Sequence, residues 1–256
     1  MTNDILINTE ARVMHITFNR TDKKNAFTEA MYDAVATNLQ QADESNDIRA
    51  VLLTGNGAVF AAGTDLFESL NNPPNGNDAP VARFFRGLHS FSKPLIAAVN
   101  GAAIGIGTTM LLHCDFVYAA EQAKFSVPFV NLALVPEAGS SYLLPQKIGY
   151  QRTAEWVMLG GTIDAATAQS WGIVNSVHPA AGLQGHAQQQ ALAIAQRPPE
   201  AVRLTKMLLK EGSRQQVAEA MQREIAILFP KRLQSAEVQE ALTAFMERRQ
   251  PDFAKF

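Results

Sequence analysis

A lone glutamate, Glu137, interrupts an apolar stretch at residues 134–141, just before a predicted helix that begins at Ser141. Apolar surroundings raise the pKa of a carboxyl group, and a pKa of ~6 to 7 suits a general base. An acid near the start of a helix also stabilises that helix through its dipole, and by local pattern alone this is the commoner role. The residues by themselves therefore leave two roles for Glu137 open.

Two glycine-containing turns could present backbone amides to a ligand. One covers residues 60–66 and follows a predicted strand at 50–54, and the other covers residues 100–108 between a strand and a helix. Small residues let a backbone N–H approach a ligand closely, and amides at a helix N-terminus are free to donate. Two such donors on one oxygen would stabilise an oxyanion. Tight connections that bind no ligand show the same pattern, so the turns alone do not decide between a binding site and a purely structural role.

Other residues that could do chemistry are interpreted as structural. Gly105 and Gly107 resemble part of a dinucleotide fingerprint, but the final glycine and the acid on a following strand are missing, so no nicotinamide cofactor is predicted. His113 and Cys114 follow an apolar run and are interpreted as packed core residues rather than a catalytic pair. The remaining histidines have no spacing typical of metal ligands, so no metal site is predicted.

The composition restricts the classes of function. The chain has 256 residues, of which 47% are apolar, and a single cysteine, which excludes an intramolecular disulfide and favours a reducing compartment such as the cytoplasm. Its 22 basic and 24 acidic residues form no cluster typical of a nucleic-acid interface. Residues 1–10 lack the basic start and the apolar run typical of a signal peptide, and the sequence contains no apolar run of ~20 residues, so no membrane association is expected.

The elements that must position the turns alternate along the chain. Alternating strands and helices with short connections favour an α/β fold built from parallel βαβ units, followed by a helical C-terminal part. Residues 71–78, rich in Asn, Pro and Gly, are predicted to form a mobile surface loop, and such loops often border an active site. The predicted strands are at 5–7, 13–18, 50–54, 94–99, 116–119 and 173–177. The first predicted helix begins at Glu29. The other predicted helices cover residues 81–91, 110–112, 141–148, 152–159, 165–171, 187–195, 199–209, 216–228 and 236–248.

Both turns carry a family resemblance. Residues 60–66 resemble the F-x-A-G-x-D-[LI] turn of the crotonase (enoyl-CoA hydratase/isomerase) family, and residues 93–107 resemble its K-P-x-I-A-x-V-N-G-x-A-x-G-x-G segment. Residues 19–27 are similar to its N-R-x-x-K-x-N-A turn, and the similarity spans about residues 5 to 210. The resemblance implies an α/β spiral of repeated ββα/βαβ units over residues 1–195. It also implies a C-terminal helical region over 196–256 that assembles a homotrimer or hexamer.

The resemblance also implies the site. The oxyanion donors would be the backbone amides of Thr64 and Ile106, and an acyl-CoA would bind between the two turns. Coenzyme A is then part of the substrate, and no separate cofactor is expected. Asp65 would chiefly order its own turn. The residues expected around the substrate are Lys24, Ala26, Ala62, Asp65 and Gly105.

The reaction is indicated by which of the family's catalytic positions carry an acidic residue in this sequence and which do not. The two glutamates of the family's hydratases would fall at Thr109 and Phe129, so the usual hydratase mechanism is not expected. The segment around Glu137 resembles the P-E-G-x-S-S stretch of peroxisomal-type Δ3,Δ2-enoyl-CoA isomerases, in which the glutamate is the base. The resemblance therefore implies that a 3-enoyl-CoA double bond moves to the 2-position. A ring-epoxide isomerase of the phenylacetyl-CoA type, an atypical hydratase and a non-catalytic acyl-CoA binder remain as alternatives.

Overall fold

The alternating segments build two β-sheets with helices around them in the computed structural model, which describes residues 3–71, Pro74 and 78–256. Within these residues the strands are β1 (Ile5–Glu10), β2 (Val13–Phe18), β3 (Ala50–Gly55), β4 (Val59–Ala61), β5 (Leu95–Val99), β6 (Ala102–Ile104), β7 (Phe116–Ala120), β8 (Lys124–Ser126), β9 (Thr162–Asp164) and β10 (Ser176–His178). The helices are α1 (Glu29–Glu44), α2 (Leu66–Asn71), α3 (Pro80–Ser90), α4 (Ile106–Thr109), α5 (Ser140–Ile148), α6 (Tyr150–Leu159), α7 (Ala165–Ser170), α8 (Ala180–Ala195), α9 (Pro199–Ile227) and α10 (Ala236–Glu247).

The larger sheet has the strand order β1-β2-β3-β5-β7-β10, and every pairing except that of β1 with β2 is parallel. Its central strands β3 and β5 are continuous apolar runs because both faces are covered. Val51 and Leu53 point into the main core, whereas Leu52 and Ile96 pack with Leu183 of α8 on the opposite face. The predicted α/β class is confirmed by this mostly parallel sheet and the helices that cover both of its faces.

The smaller sheet, in the order β4-β6-β8-β9, holds the two glycine turns. Each of its strands has three residues, which is too short for an alternating pattern to stand out in the sequence. The segments predicted as turns include part of β4 and the whole of β6. Their parallel pairing places Ala61 opposite Ala103, so the ends of the two strands, where the turns continue, lie side by side.

The C-terminal helices differ from the prediction in two respects. Helix α8 begins at Ala180, seven residues before the predicted start at residue 187. A break was expected at Gly212, but α9 is continuous from Pro199 to Ile227. Glycine inside an exposed helix costs about 1 kcal/mol relative to alanine, which is too little to end a helix that buried residues hold on both sides. Those anchoring residues are Lys206 before the glycine and Val217 after it, both of them buried.

After α9 the chain continues as one turn of π-helix, Leu228–Arg232, which contains Pro230. Proline lacks an N–H donor and disrupts regular helical hydrogen bonding, which explains the irregular turn. Arg232 fixes this turn to the rest of the fold, because its Nε donates to the carbonyl of Ala133 over 2.9 Å. The same guanidinium pairs with Glu237 of α10.

Most of the loop predicted at residues 71–78 lies outside the described residues. Across the described ranges, no helix is both long enough and apolar enough to span a membrane, and no group of three acidic, histidine or cysteine side chains could hold a metal ion. The division of the chain at residue 195 stays a prediction.

Candidate active site

A cavity of about 120 Å³ lies where the two glycine turns meet the segment that carries Glu137. Its wall is mostly apolar, and its acidic side chains among the described residues are those of Glu29 and Glu137. Residues from both turns, from α1 and from the π-helical turn that follows α9 contribute to it. The residues that line the cavity are Glu29, Tyr32, Ala62, Gly63, Thr64, Leu66, Ser69, Pro74, Val81, Ile104, Gly105, Ile106, Pro128, Phe129, Leu132, Leu134, Glu137, Leu228, Phe229 and Leu233.

The two turns touch through glycines that no other residue could easily replace. Gly63 has φ 100° and Gly105 has φ 55°, and both angles are in the region that L side chains rarely adopt. A Cβ on Gly105 would lie 3.8 Å from the Cα of Gly63, and a Cβ on Gly63 would lie 3.4 Å from the carbonyl oxygen of Ile104. The two turns therefore lie close together where they line the cavity.

The first predicted oxyanion donor, the amide of Thr64, is not used within the fold. Phe27 forms a parallel bridge with this turn: its N–H donates to Gly63 and its carbonyl accepts from Asp65, each over 2.8 Å. The N–H of Thr64 lies between these two bonds and has no acceptor among the described residues. The Thr64 hydroxyl lies 2.7 Å from the hydroxyl of Tyr32, so its side chain is held by a partner on α1.

The second predicted donor, the amide of Ile106, begins α4. First-turn amides have no partner within their own helix. The carbonyl of Gly105 accepts from Thr108 and Thr109 over 2.9 Å each, and the N–H of Ile106 has no acceptor in the described part of the chain. The Ile106 side chain is fully buried while also lining the cavity, so it packs in the core and narrows the site from one side.

Glu137 is buried, with 7% of its surface exposed, and its carboxylate lines the same cavity. Within the described residues, no hydrogen bond reaches this carboxylate. Burial raises the pKa of Glu137 to about 8, and the neighbouring charge of Glu224 acts in the same direction. A buried acid with no donor and a pKa near neutrality can exchange protons with a bound molecule.

The alternative role of Glu137, stabilisation of the following helix, is taken by a different acid. Glu224 of α9 accepts from the amide of Gly139 over 2.6 Å and from that of Ser141 over 2.9 Å. These amides belong to the start of α5, which begins at Ser140. The contacts that a capping acid would make are therefore made by Glu224 and not by Glu137.

The positions of the two hydratase glutamates hold no acid. Thr109 is fully buried in α4, and Phe129 is buried and lines the cavity. Glu29 is the other acidic residue of the described cavity wall. It is the first residue of α1, and its own amide donates to Glu68 over 3.1 Å.

The residues predicted around the substrate are divided between the cavity and its rim. Ala62 and Gly105 line the cavity, whereas Lys24, Ala26 and Asp65 do not. Lys24 is exposed in a left-handed turn, and its carbonyl accepts from the amide of Ala62 over 3.1 Å, which ties this turn to the cavity wall.

Asp65 holds the first glycine turn in place. Its carboxylate pairs with Arg20 over 2.9 Å, and its other oxygen accepts from the amide of Glu68 over 3.3 Å. The same guanidinium donates to the carbonyl of Ala26 over 3.0 Å. These contacts agree with the expectation that Asp65 orders its own turn.

His113 and Cys114 are part of the packed core, as interpreted from the sequence. Burial lowers the pKa of His113 to about 3, so its ring is neutral and its Nε2 donates to the carbonyl of Ala138 over 2.7 Å. Burial raises the pKa of the Cys114 thiol to about 12, which makes it a poor nucleophile.

Sequence reasoning missed several residues of the site. Tyr32 is buried, and its place on the amphipathic helix α1 gives no sign of the contact with Thr64. Glu224 did leave a signal. The spacing of Val217, Met221, Glu224 and Leu228 is that of one helix face, and an acid on an otherwise apolar face requires a partner elsewhere in the fold.

Comparison with known proteins finds relatives that match nearly the whole chain. The family model described as enoyl-CoA hydratase/isomerase matches residues 8–255. The chain is 35% identical to 1,2-epoxyphenylacetyl-CoA isomerase of Escherichia coli (strain K12), covering 97% of each chain. It is 34% identical to human enoyl-CoA delta isomerase 2, covering 96% of this chain and 64% of the relative, so it spans less than two thirds of that protein.

A solved structure of an enoyl-CoA hydratase/isomerase from Pseudoalteromonas atlantica T6c superimposes with a TM-score of 0.94 at 38% identity. The alignment covers 98% of this chain and 100% of that one. The names of these proteins cover more than one reaction on acyl-CoA thioesters. The region matched by the family model, residues 8–255, contains both glycine turns and the Glu137 segment. The chain therefore belongs to the enoyl-CoA hydratase/isomerase (crotonase) family.

Proposed function

We propose that this protein is an acyl-CoA isomerase that moves the double bond of a 3-enoyl-CoA to the 2-position. The observation that supports this best is a single buried carboxyl, Glu137, with no hydrogen-bond donor among the described residues, in the same cavity as the unpaired amides of Thr64 and Ile106. A double-bond shift needs one group that removes and returns a proton. It does not need the second acid that is missing at Thr109 and Phe129.

In the proposed mechanism, Glu137 removes a proton from C2 of the bound thioester. The electrons shift toward the thioester carbonyl, whose oxygen becomes negative and accepts from the amides of Thr64 and Ile106. The same carboxyl then returns the proton to C4, which leaves the double bond between C2 and C3. A pKa of about 8 for Glu137 suits both half-reactions near neutral pH, because the group is a useful base before the transfer and a useful acid after it.

The residues that line the cavity favour a substrate with an apolar acyl group. Apart from the two glutamates, the described wall of the cavity contains no charged side chain, and Leu228, Phe229 and Leu233 close one part of it. Coenzyme A enters as part of the substrate, so the proposal requires no separate cofactor. Lys24 is exposed on the rim beside Ala62 and is proposed to contact the CoA phosphates.

A ring-epoxide isomerase is the second candidate, favoured by the 35% identity to the Escherichia coli 1,2-epoxyphenylacetyl-CoA isomerase. It would use the same amides and the same acid. A hydratase lacks support from the acids at the site, and a non-catalytic binder would not need a buried, unpaired carboxyl such as Glu137.

The experiment that tests the reaction is a panel of thioesters: a 3-enoyl-CoA, a 2-enoyl-CoA and a ring-epoxide acyl-CoA. We expect conversion of the 3-enoyl-CoA to the 2-trans isomer, measured by the ultraviolet absorbance of the conjugated thioester. Addition of water to the 2-enoyl-CoA should be weak, because Thr109 and Phe129 stand where the family's hydratases would carry their two glutamates. Efficient hydration without isomerisation would contradict the proposal, and turnover of the epoxide alone would favour the second candidate.

We also propose that the chain assembles as a homotrimer or hexamer. Large apolar side chains on α6 and α9 are exposed: Met158 and Leu159 are 64% and 72% exposed, and Leu208 and Leu209 are 70% and 81% exposed. Such surface is typical of an interface. Light scattering at micromolar concentration should give at least three times the mass of one chain. A monomer would contradict this proposal without affecting the reaction.

A further inference from the structure

Glu224 lies far along the chain from the catalytic segment but in direct contact with it. It is separated from Gly139 by 85 residues, and α9 carries it to the start of α5. Its side chain is buried, and both carboxylate oxygens are used: one accepts from Gly139 over 2.6 Å and the other from Ser141 over 2.9 Å. Burying an acid is costly unless it is fully hydrogen-bonded, so these two bonds explain why an acid is present on this face.

The segment that Glu224 holds has an unusual backbone. Ala138 and Gly139 have φ angles of 57° and 73°, which places two successive residues in the left-handed region directly after Glu137. A non-glycine residue in this region is strained and needs support from its surroundings. His113 provides one support through the carbonyl of Ala138, and Glu224 provides the other through the amides that follow.

Helix α9 also packs directly on this segment. A Cβ on Gly139 would lie 3.0 Å from Cγ1 of Val217, so there is no room for a side chain between the turn and the helix. The turn is therefore clamped between His113 on one side and α9 on the other. Its conformation sets the direction in which the Glu137 side chain leaves the backbone.

We propose that Glu224 is a positioning residue of the active site, which holds the turn after Glu137 and keeps a second negative charge beside that carboxyl. The proposal rests on the proposed role of Glu137 as the base. It assigns to the C-terminal helix a part in the chemistry in addition to its part in the fold. Glu224 itself acts through Glu137, because it does not line the cavity.

The charges around Glu137 give the direction of the effect. After burial, the charge of Glu224 is the second cause that raises the pKa of Glu137. Burial also raises the pKa of Glu224 itself, but its two amide donors favour the ionised form. Other titratable groups face Glu137 from the elements packed around it. His113 is neutral, and burial raises the pKa of Tyr32 on α1 well above its usual value, so neither side chain brings a charge. Glu29 adds a further acid to the cavity wall. Removal of the charge on Glu224 should therefore lower the pKa of Glu137.

The test uses Glu224→Gln and the matched control Glu219→Gln. Glu219 is an exposed acid on the same helix, five residues earlier, so its replacement makes the same chemical change away from the site. The glutamine side chain introduced by Glu224→Gln has one acceptor oxygen and can satisfy only one of the two N–H donors. With a 3-enoyl-CoA, we expect kcat to fall at least tenfold, KM to change little, and the acidic limb of the pH profile to move down by about one unit. Glu219→Gln should keep the wild-type profile.

Two further measurements keep the result decisive. Glu224→Asp retains the charge but has a shorter side chain, so it should lower kcat without moving the acidic limb of the pH profile. This variant is used in place of Glu224→Gln if Glu224→Gln does not fold. Titration of Glu137 by NMR of carboxyl-labelled protein gives its pKa without any assay. An unchanged pKa and an unchanged profile in folded Glu224→Gln would overturn the positioning role alone. Full turnover in Glu137→Gln would instead remove the proposed base.

Discussion

Replacement of Glu137 by glutamine should lower turnover of a 3-enoyl-CoA by a factor of ~10² to 10⁴, which is the usual contribution of a general acid–base group. Glutamine has the same shape but cannot accept the C2 proton. The affinity for the CoA thioester should change little, because the amides of Thr64 and Ile106 and the apolar wall remain. Single-turnover kinetics, combined with measurement of thioester binding by calorimetry, separate the two effects.

The same variant should be more stable than the wild-type protein at alkaline pH. Folding raises the pKa of Glu137 from 4.5 to about 8, so the folded state binds this proton more tightly than the unfolded state does. The wild-type protein therefore loses stability as the pH rises from 4.5 to about 8. Glutamine carries no charge, and the variant should be more stable above pH 8 by on the order of a few kcal/mol, with little difference near pH 4. Melting curves at several pH values check this. A loss of about 0.3 to 1 kcal/mol with retained turnover would instead indicate a helix-stabilising role.

Replacement of Gly107 by alanine should separate the two turns. A Cβ at this position would lie 2.6 Å from the carbonyl oxygen of Ala61 and 3.0 Å from its Cβ, so the backbone of one turn has to move away from the other. The amides of Thr64 and Ile106 would then no longer converge on one oxygen. Loss of one oxyanion donor typically lowers kcat by a factor of ~10² to 10³, and the overpacking should cost about 1 to 3 kcal/mol of stability.

Gly182→Ala is the matched control for this prediction. Gly182 lies on the exposed surface of α8, and a Cβ there would meet no atom within 4 Å. Alanine in place of an exposed helical glycine should leave activity unchanged and stabilise the fold by about 0.5 to 1 kcal/mol. Steady-state kinetics and urea unfolding of both variants decide the outcome. A wild-type kcat in Gly107→Ala would exclude the close contact of the turns as a requirement for catalysis.

Much of the fold could be predicted because its patterns are local. The buried strands β3 and β5 are apolar runs, α1 begins at the Thr28 cap with regular apolar spacing, and the glycine turns are short segments with a distinctive composition. The smaller sheet could not be predicted. Its three-residue strands are defined by pairing between distant segments, and such pairing leaves no periodic signal in the sequence.

The candidate site divides in the same way. The sequence by itself determined the two turns, the single glutamate and, through the family resemblance, the positions of the expected donors. Only the tertiary structure decided which acid stabilises α5, because the bonds from Glu224 to Gly139 and Ser141 join residues 85 and 83 positions apart. Such contacts depend on how α9 packs, and no local pattern contains that information. For the same reason, the burial that raises the pKa of Glu137 belongs to the folded chain and not to its immediate neighbours.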